Sequence, residues 1–79
     1  MSTGFRGIVR LTELPKGTEA TVVKIKTEAE QQMRLGELGM HPGSRVRILC
    51  GEPGQGVLIA AGDGRIGVNW DEAQRIYVY

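Results

Sequence analysis

The sequence has few aromatic residues and a single cysteine. Only four of its 79 residues are aromatic, and three of those stand within the last ten positions. So sparse a set does not favour the aromatic-lined groove with which some small domains bind proline-rich peptides. One cysteine excludes an intramolecular disulfide. The aromatic residues are Phe5, Trp70, Tyr77 and Tyr79.

Long apolar runs and an excess of one charge are also missing. No stretch approaches the ~20 apolar residues that span a bilayer, and residues 1–6 lack the apolar segment of a signal peptide. Ten Lys and Arg against nine Asp and Glu give a net charge of +1, which offers no general field for nucleic acid or anionic lipid. The sequence therefore predicts a cytoplasmic protein that neither inserts into a membrane nor binds nucleic acid.

Residues that carry catalytic or metal chemistry are scarce as well. A transition-metal site needs three or four converging ligands, whereas the chain has one cysteine and one histidine. We predict that Cys50 is a small core residue on the strand face of Val46 and Ile48, and that His41 is a solvated turn residue. No nucleophile stands in a recognisable motif with a base and an orienting group. We therefore expect neither an enzyme nor a bound metal or other cofactor.

Glycine is abundant instead, with 12 residues, roughly twice the usual share of about 7%. Two glycine-rich stretches, 51–56 and 62–64, lack the Gly-Lys-Ser/Thr ending and the following long helix of a phosphate-binding loop. We interpret both as turns. Two further turns are predicted by proline and glycine at short spacing, at Pro15 and Gly17 and again at Pro42 and Gly43.

One segment, at about 28–38, predicts a long helix. Thr27 and Glu30 match a T-x-x-E capping box at its start, and apolar residues recur at helical spacing along one side. Gly39 has the position of a left-handed C-cap. In the Schellman motif that such a cap forms, Leu35 and Met40 touch.

Most of the remaining sequence predicts short strands. The segment 18–26 is rich in β-branched residues, but its apolar residues change face midway, which is typical of a strand that bends or bulges. Asn69 has the position of a cap for a one-turn helix near 70–74. Other strands are expected at about 8–11, 45–50, 57–61, 65–68 and 75–79.

Short, bent strands cannot cover a flat core, but they bury one when they curl into a barrel. The sequence therefore predicts a mostly β protein, an SH3-like barrel of about five short strands with the helix inserted to plug one open end. We expect one domain over 1–79, in which residues 1–7 form a loosely ordered tail.

The stretch from Arg34 to Val46, which contains L-x-x-L-G-M-x-P-G, resembles the helix-end signature of the FeoA family. Residues 11–17 resemble the entry motif of that family, and residues 72–78 resemble its final turn and strand. The resemblance covers about 8–79 in order. It implies an SH3-like barrel and a cytosolic role in support of FeoB, a membrane ferrous-iron transporter with a GTPase domain.

The resemblance leaves a second function open. The family resemblance also extends to a domain at the C-terminus of iron- and manganese-dependent repressors, but we expect a standalone domain here, without a preceding DNA-binding helix pair. The alternatives to a transporter accessory protein are therefore a detached regulatory domain of such a repressor or a small barrel that binds nucleic acid. The near-zero net charge argues against the last of these.

The helix and its exit are the best candidate for a partner-binding surface. Methionine is adaptable and frequent at such surfaces; the alternative is that the apolar members all belong to the core. Arg34, Arg45 and Arg47 could form a polar rim or simply face solvent. The strand 77–79 is predicted to be an exposed edge that could pair weakly with a second copy. The residues of the candidate surface are Met33, Arg34, Leu35, Leu38 and Met40.

Overall fold

The computed structural model describes residues 7–79, so the tail predicted at 1–7 lies outside the described residues except for Gly7. Two helices and six strands follow one another with a 3₁₀ turn, Leu11–Glu13, after the first strand. The strands are β1 (Val9–Arg10), β2 (Glu19–Ile25), β3 (Arg45–Glu52), β4 (Gly56–Ala61), β5 (Gly64–Val68) and β6 (Ile76–Val78). The helices are α1 (Ala29–Glu37) and α2 (Trp70–Ala73).

The six strands form one antiparallel sheet in the order β1-β6-β2-β3-β4-β5. Strand β2 pairs with β6 on one side and with β3 on the other, and its register with β6 shifts between Val22 and Lys24. This bulge lets both Val22 and Ile25 reach the core although they are three residues apart. The bend predicted from the change of apolar face is therefore confirmed.

The prediction that the final strand is an edge is wrong. Strand β6 lies between β1 and β2, where Val78 faces Val9. Beyond β6, the backbone groups of Tyr79 and Thr21 exchange hydrogen bonds of 2.8 and 3.0 Å. The short β1 therefore covers the side of β6 that was expected to be free.

The core is entirely apolar. No polar or charged residue within the described range 7–79 is buried as a whole, so the polar groups that the core must satisfy are mainly those of its backbone. Trp70 packs against the core while remaining partly exposed. The buried residues are Leu11, Ala20, Val22, Ile25, Leu35, Met40, Val46, Ile48, Val57, Ile59, Ala61, Ile66, Val68, Ala73, Ile76 and Val78.

Cys50 is exposed, which corrects its prediction as a core residue. Val46 and Ile48 point inward as expected, but the register between β3 and β4 shifts between Ile48 and Cys50. A bulge of this kind inserts one extra residue and reverses the face of every residue after it. The alternation read from the sequence therefore holds only as far as Ile48.

Helix α1 begins without the predicted capping box. Its N-cap is Glu28, whose side chain makes no capping hydrogen bond. Thr27 lies one residue too early to cap the helix with its hydroxyl. Its carbonyl oxygen instead accepts a 2.8 Å hydrogen bond from the side-chain amide of Gln32.

Helix α1 ends in a Schellman motif, as the sequence predicts. Gly39 has a φ of 102°, and the Met40 N–H donates to the Leu35 carbonyl over 2.8 Å. Leu35 and Met40 are both buried. Of the nine residues of α1, Leu35 is the one that is buried, so the helix reaches the core through its C-terminal end.

The turn after the helix returns the chain to the sheet. Gly43 has a φ of 97°, and the Ser44 N–H donates to the His41 carbonyl over 2.9 Å, consistent with the predicted Pro-Gly turn. The Gly43 N–H and the Val22 carbonyl are 2.7 Å apart, which fastens this turn to β2. Residues 15–18 also form a turn, in which the Thr18 N–H donates to the Pro15 carbonyl and Gly17 has a φ of 87°.

Helix α2 starts with the cap that its sequence predicts. The Glu72 N–H donates to Oδ1 of Asn69 over 2.7 Å, and the Asn69 N–H donates back to the Glu72 carboxylate over 3.4 Å. This reciprocal pair satisfies two otherwise unpaired backbone donors. It places the buried Ala73 against the core.

We predict that Gly39→Val and Gly36→Ala change stability in opposite directions. Valine in the left-handed cap is strained by about 1–2 kcal/mol, so it lowers the urea midpoint. Gly36 lies inside the helix, where a Cβ would meet nothing within 4 Å among the described residues outside the adjacent turns of the helix. Alanine at position 36 therefore increases the free energy of unfolding by up to about 1 kcal/mol and raises the urea midpoint. Equal midpoints for the two variants and wild type would show that the cap does not constrain the fold.

Candidate functional site

The residues predicted to bind a partner separate into two groups. Leu35 and Met40 are buried, so a partner cannot reach their side chains in this conformation. Met33 is 67% exposed and Leu38 is 52% exposed, and Arg34 is exposed beside them. The accessible part of the candidate surface, called the helix surface below, therefore consists of Met33, Arg34 and Leu38.

The buried and exposed members are linked through the helix end. Leu35 and Met40 anchor the Schellman motif, and Leu38 is the C-cap residue between them. Leu35 and Met40 are held in the core, and the backbone N–H groups of Leu38 and Gly39 donate hydrogen bonds within the helix end. The exposed side chain of Leu38 therefore projects from a well-ordered backbone. The alternative, in which all four apolar residues belong to the core, therefore holds for Leu35 and Met40 only.

A shallow depression of about 360 Å³ lies beside the helix surface. Met33 lines it on the α1 side, and His41 and Pro42 line it on the side of the turn. His41 is exposed, and a ring nitrogen lies 3.2 Å from the Pro42 carbonyl oxygen. The predicted solvated turn residue is thus where it was expected. The other lining residues are Ile25, Ala29, Gln32 and Met40.

A second surface lies on the outer face of the sheet. The carboxylate of Glu19, on β2, accepts two hydrogen bonds of 2.9 Å. Nη2 of Arg45 donates to its Oε1, and Nη2 of Arg47 donates to its Oε2. The neighbouring guanidinium of Arg47, followed by that of Arg45, lowers the pKa of the Glu19 carboxyl. The charged carboxylate joins the two arginines.

The strand register extends this group across the sheet. Glu19 pairs with Arg47, Arg47 with Ala60, and Ala60 with Arg65, so these four residues form one row over four strands. We call Glu19, Arg45, Arg47, Ala60 and Arg65 the sheet surface. Strand alternation places Arg45 and Arg47 on one face, but only the register brings Glu19 and Arg65 beside them, and sequence reasoning missed this surface for that reason.

Within residues 7–79, no group of three or more His, Cys, Asp or Glu side chains is placed to hold a metal ion. The glycine-rich stretches 51–56 and 62–64 lie in and beside the two hairpins that join β3, β4 and β5. Gly56 has a φ of 111°, and a Cβ there would lie 2.8 Å from the Val68 carbonyl oxygen, so this glycine serves the close approach of two strands.

None of the helices formed by the described residues is both long and apolar enough to cross a membrane.

The sequence matches the model of the FeoA domain over residues 9–79. The chain belongs to the FeoA family. It is thereby associated with ferrous-iron transport, in a family of small accessory domains. The resemblance seen at the helix exit, in the entry motif and in the final strand is confirmed.

Solved structures agree with this assignment. An iron uptake regulatory protein, FeoA, superposes with a TM-score of 0.82 at 26% identity over 91% of this chain and 96% of its own. FeoA of Stenotrophomonas maltophilia, solved with zinc and described as a prokaryotic SH3-domain protein, has 33% identity and a TM-score of 0.73 over 90% and 89% of the two chains. The FeoA domain described here is accordingly an SH3-like barrel.

The fold also occurs inside a larger protein. A manganese-dependent transcriptional repressor has 25% identity and a TM-score of 0.76 over 90% of this chain but only 40% of its own. Among curated proteins, none has significant sequence similarity to the chain.

We predict that the two arginines lower the Glu19 pKa unequally. Both guanidinium groups favour the ionised form of Glu19, so the pKa of this carboxyl is lower in the folded than in the unfolded chain. The ion pairs therefore stabilise the fold above the unfolded pKa, and this stabilisation is lost as the pH falls through the folded pKa. Titration of the side-chain carboxyl by ¹³C NMR should therefore give a Glu19 pKa below the ordinary value. Arg47→Ala should raise it more than Arg45→Ala does.

High salt serves as the control for this titration. Because the pairs are exposed, screening at 1 M NaCl should bring the Glu19 pKa back towards the ordinary value. A Glu19 pKa that neither arginine variant changes would contradict the ion pairs.

Proposed function

We propose that this FeoA domain is a cytosolic accessory protein of bacterial ferrous-iron uptake that binds a FeoB-type transporter and modulates its activity by protein contact. The observation that carries the proposal is the helix surface, where Met33 and Leu38 are exposed next to a helix end that is anchored in the core. Because the FeoA family is associated with ferrous-iron transport, we look for the partner among the proteins of that transport system.

The helix surface suits a protein partner on energetic grounds. Burying a methionine or leucine side chain contributes about 1.5–3 kcal/mol relative to leaving it exposed. Two such residues therefore supply a useful share of the free energy of a micromolar complex, which is about 8 kcal/mol. Methionine can adjust its rotamers to an uneven surface, whereas Leu38 is held by the cap and needs little ordering.

The role of the related proteins supports the same direction. One FeoA neighbour is named an iron uptake regulatory protein, and the Stenotrophomonas maltophilia protein is described as a candidate activating factor of ferrous-iron transport. Both descriptions concern regulation of transport. A contact with the transporter is the simplest way for a domain of this size to regulate it.

A regulatory domain of a metal-dependent repressor is the second candidate, because the fold forms part of a manganese-dependent repressor. The two functions differ in a simple observation. Binding of duplex DNA that weakens steeply with salt, together with no effect on iron uptake, would favour the second.

Deletion of the gene tests the proposed function in cells. Uptake of radioactive ferrous iron should fall in the deletion strain, while the amount of transporter in the membrane, measured by immunoblotting, stays the same. A plasmid copy of the wild-type gene should restore uptake. Normal uptake in the deletion strain would overturn the proposal.

We predict that Met33→Ala with Leu38→Ala lowers the affinity for the transporter without unfolding the domain. Both side chains are largely exposed, so the stability of the free domain should change by less than about 0.5 kcal/mol. Loss of two buried apolar contacts should weaken the complex by about tenfold or more. The measurement is biolayer interferometry with the transporter in nanodiscs.

Ile8→Ala provides the matched control. Ile8 is another large exposed apolar residue, 62% accessible, and lies outside the helix surface. This variant should bind like wild type. If the double variant and the control bind the transporter with equal affinity, Met33 and Leu38 do not form the contact.

A further inference from the structure

The sheet surface is more basic than the chain as a whole. It carries three arginines and one carboxylate, whereas the whole chain has a net charge of only +1. Arg45 and Arg47 share Glu19, and their side chains are 70% and 55% exposed. Arg65 forms no ion pair with any residue in the part of the chain that the structure describes. A partner can therefore approach all three guanidinium groups from solvent.

The arginines surround a floor made of small and apolar residues. Ala60 stands in the row between Arg47 and Arg65, and its methyl group leaves room between the two longer side chains. Leu49, which sits at the β3 bulge, also lines this depression of about 380 Å³. The depression is open and crosses four neighbouring strands of the sheet, which suits an extended chain better than a compact ligand.

Glu19 orients the arginines without using up their hydrogen-bonding capacity. Each of the two guanidinium groups donates to it through a single Nη2 atom. A guanidinium has five N–H groups in a fixed planar fork, so both arginines keep donors for an incoming group. Because the ion pairs already restrict the two side chains, less conformational entropy remains to be lost on binding.

We propose that the sheet surface binds an acidic, extended segment of a partner protein, whose carboxylates pair with Arg65 and Arg47 on either side of Ala60. Planar guanidinium groups match carboxylates in geometry. Nucleic acid fits less well, because its affinity comes from many phosphate contacts, whereas this surface offers three arginines with the negative charge of Glu19 among them.

This inference rests on the proposed function in one respect: the transporter is taken as the protein that carries the acidic segment. The helix surface and the sheet surface consist of different residues, so they can be tested separately. Asp63, in the turn between β4 and β5, does not line the depression, so Glu19 is the one carboxylate among its lining residues.

Charge reversal at Arg65 is the most direct test, because no ion pair among residues 7–79 is lost. Arg65→Glu should reduce the affinity for the transporter in phosphatidylcholine nanodiscs at 50 mM NaCl by about tenfold or more, since it puts like charges in contact. Arg75→Glu, an equal change of charge at another exposed position, should have less than about a twofold effect. Thermal melting should confirm that both variants are folded.

Salt dependence supplies a second readout. Wild-type affinity should fall between 50 and 300 mM NaCl, and the affinity of Arg65→Glu should fall less, because screening weakens attraction and repulsion alike. If wild type and Arg65→Glu bind the transporter equally well, the sheet surface is not the contact, while the proposed function survives.

A soluble probe separates the remaining outcomes. Octaglutamate should bind wild type measurably better than it binds Arg65→Glu, and this arm decides the inference even if wild type does not bind the transporter and the proposed function fails. Equal binding of octaglutamate to both chains overturns it. Two further probes are vesicles that contain phosphatidylserine and, separately, a 20-base-pair DNA duplex. If wild type binds either of them better than octaglutamate, and Arg65→Glu removes that preference, the proposal is also overturned.

Discussion

The hydrogen bond from the Met40 N–H to the Leu35 carbonyl, across a left-handed glycine, determines how the helix is joined to the barrel. Helix α1 buries one side chain of its own, so packing along its length cannot orient it. The cap buries Leu35 and Met40 together and reverses the chain into the turn that is bonded to β2. The helix is therefore held at its C-terminal end, while most of its other residues are exposed.

The two surfaces of the molecule differ in what they can contribute to a complex. The helix surface offers apolar area, whose removal from water provides affinity. The sheet surface offers charges at fixed spacing, which govern the rate of encounter and the orientation of the partner more than the final affinity. Since every buried residue among those described is apolar, the polar chemistry described for this domain lies on its outside.

Local signals allowed much of the fold to be predicted, and long-range pairing accounts for what was missed. Gly39, Asn69 and the turn at Pro42 each act through neighbours within a few residues, so their roles could be inferred from the sequence. The bulge after Ile48 depends on how β3 pairs with β4, and it turned Cys50 outward. The covered position of Tyr77 depends on the pairing of β6 with β1, which the short strand predicted at about 8–11 does not by itself reveal.

The candidate site follows the same division. The spacing of Met33, Leu35, Leu38 and Met40 placed all four residues near the helix exit, but it could not separate those that anchor the cap from those that face solvent. The pairing of Glu19 with two arginines joins residues 26 and 28 positions apart, which no local pattern reveals. Only the register of four strands brings Arg65 to the same face.

The pairing of Val9 with Val78 in β1 and β6 has a consequence for the architecture of larger proteins. Because both ends of the barrel sit on adjacent strands, polypeptide can enter and leave the domain at one place without crossing the sheet. A domain built in this way can be appended to another or carried within a longer chain with its core unchanged. The fold's occurrence as 40% of a manganese-dependent repressor is the arrangement that such a shared entrance permits.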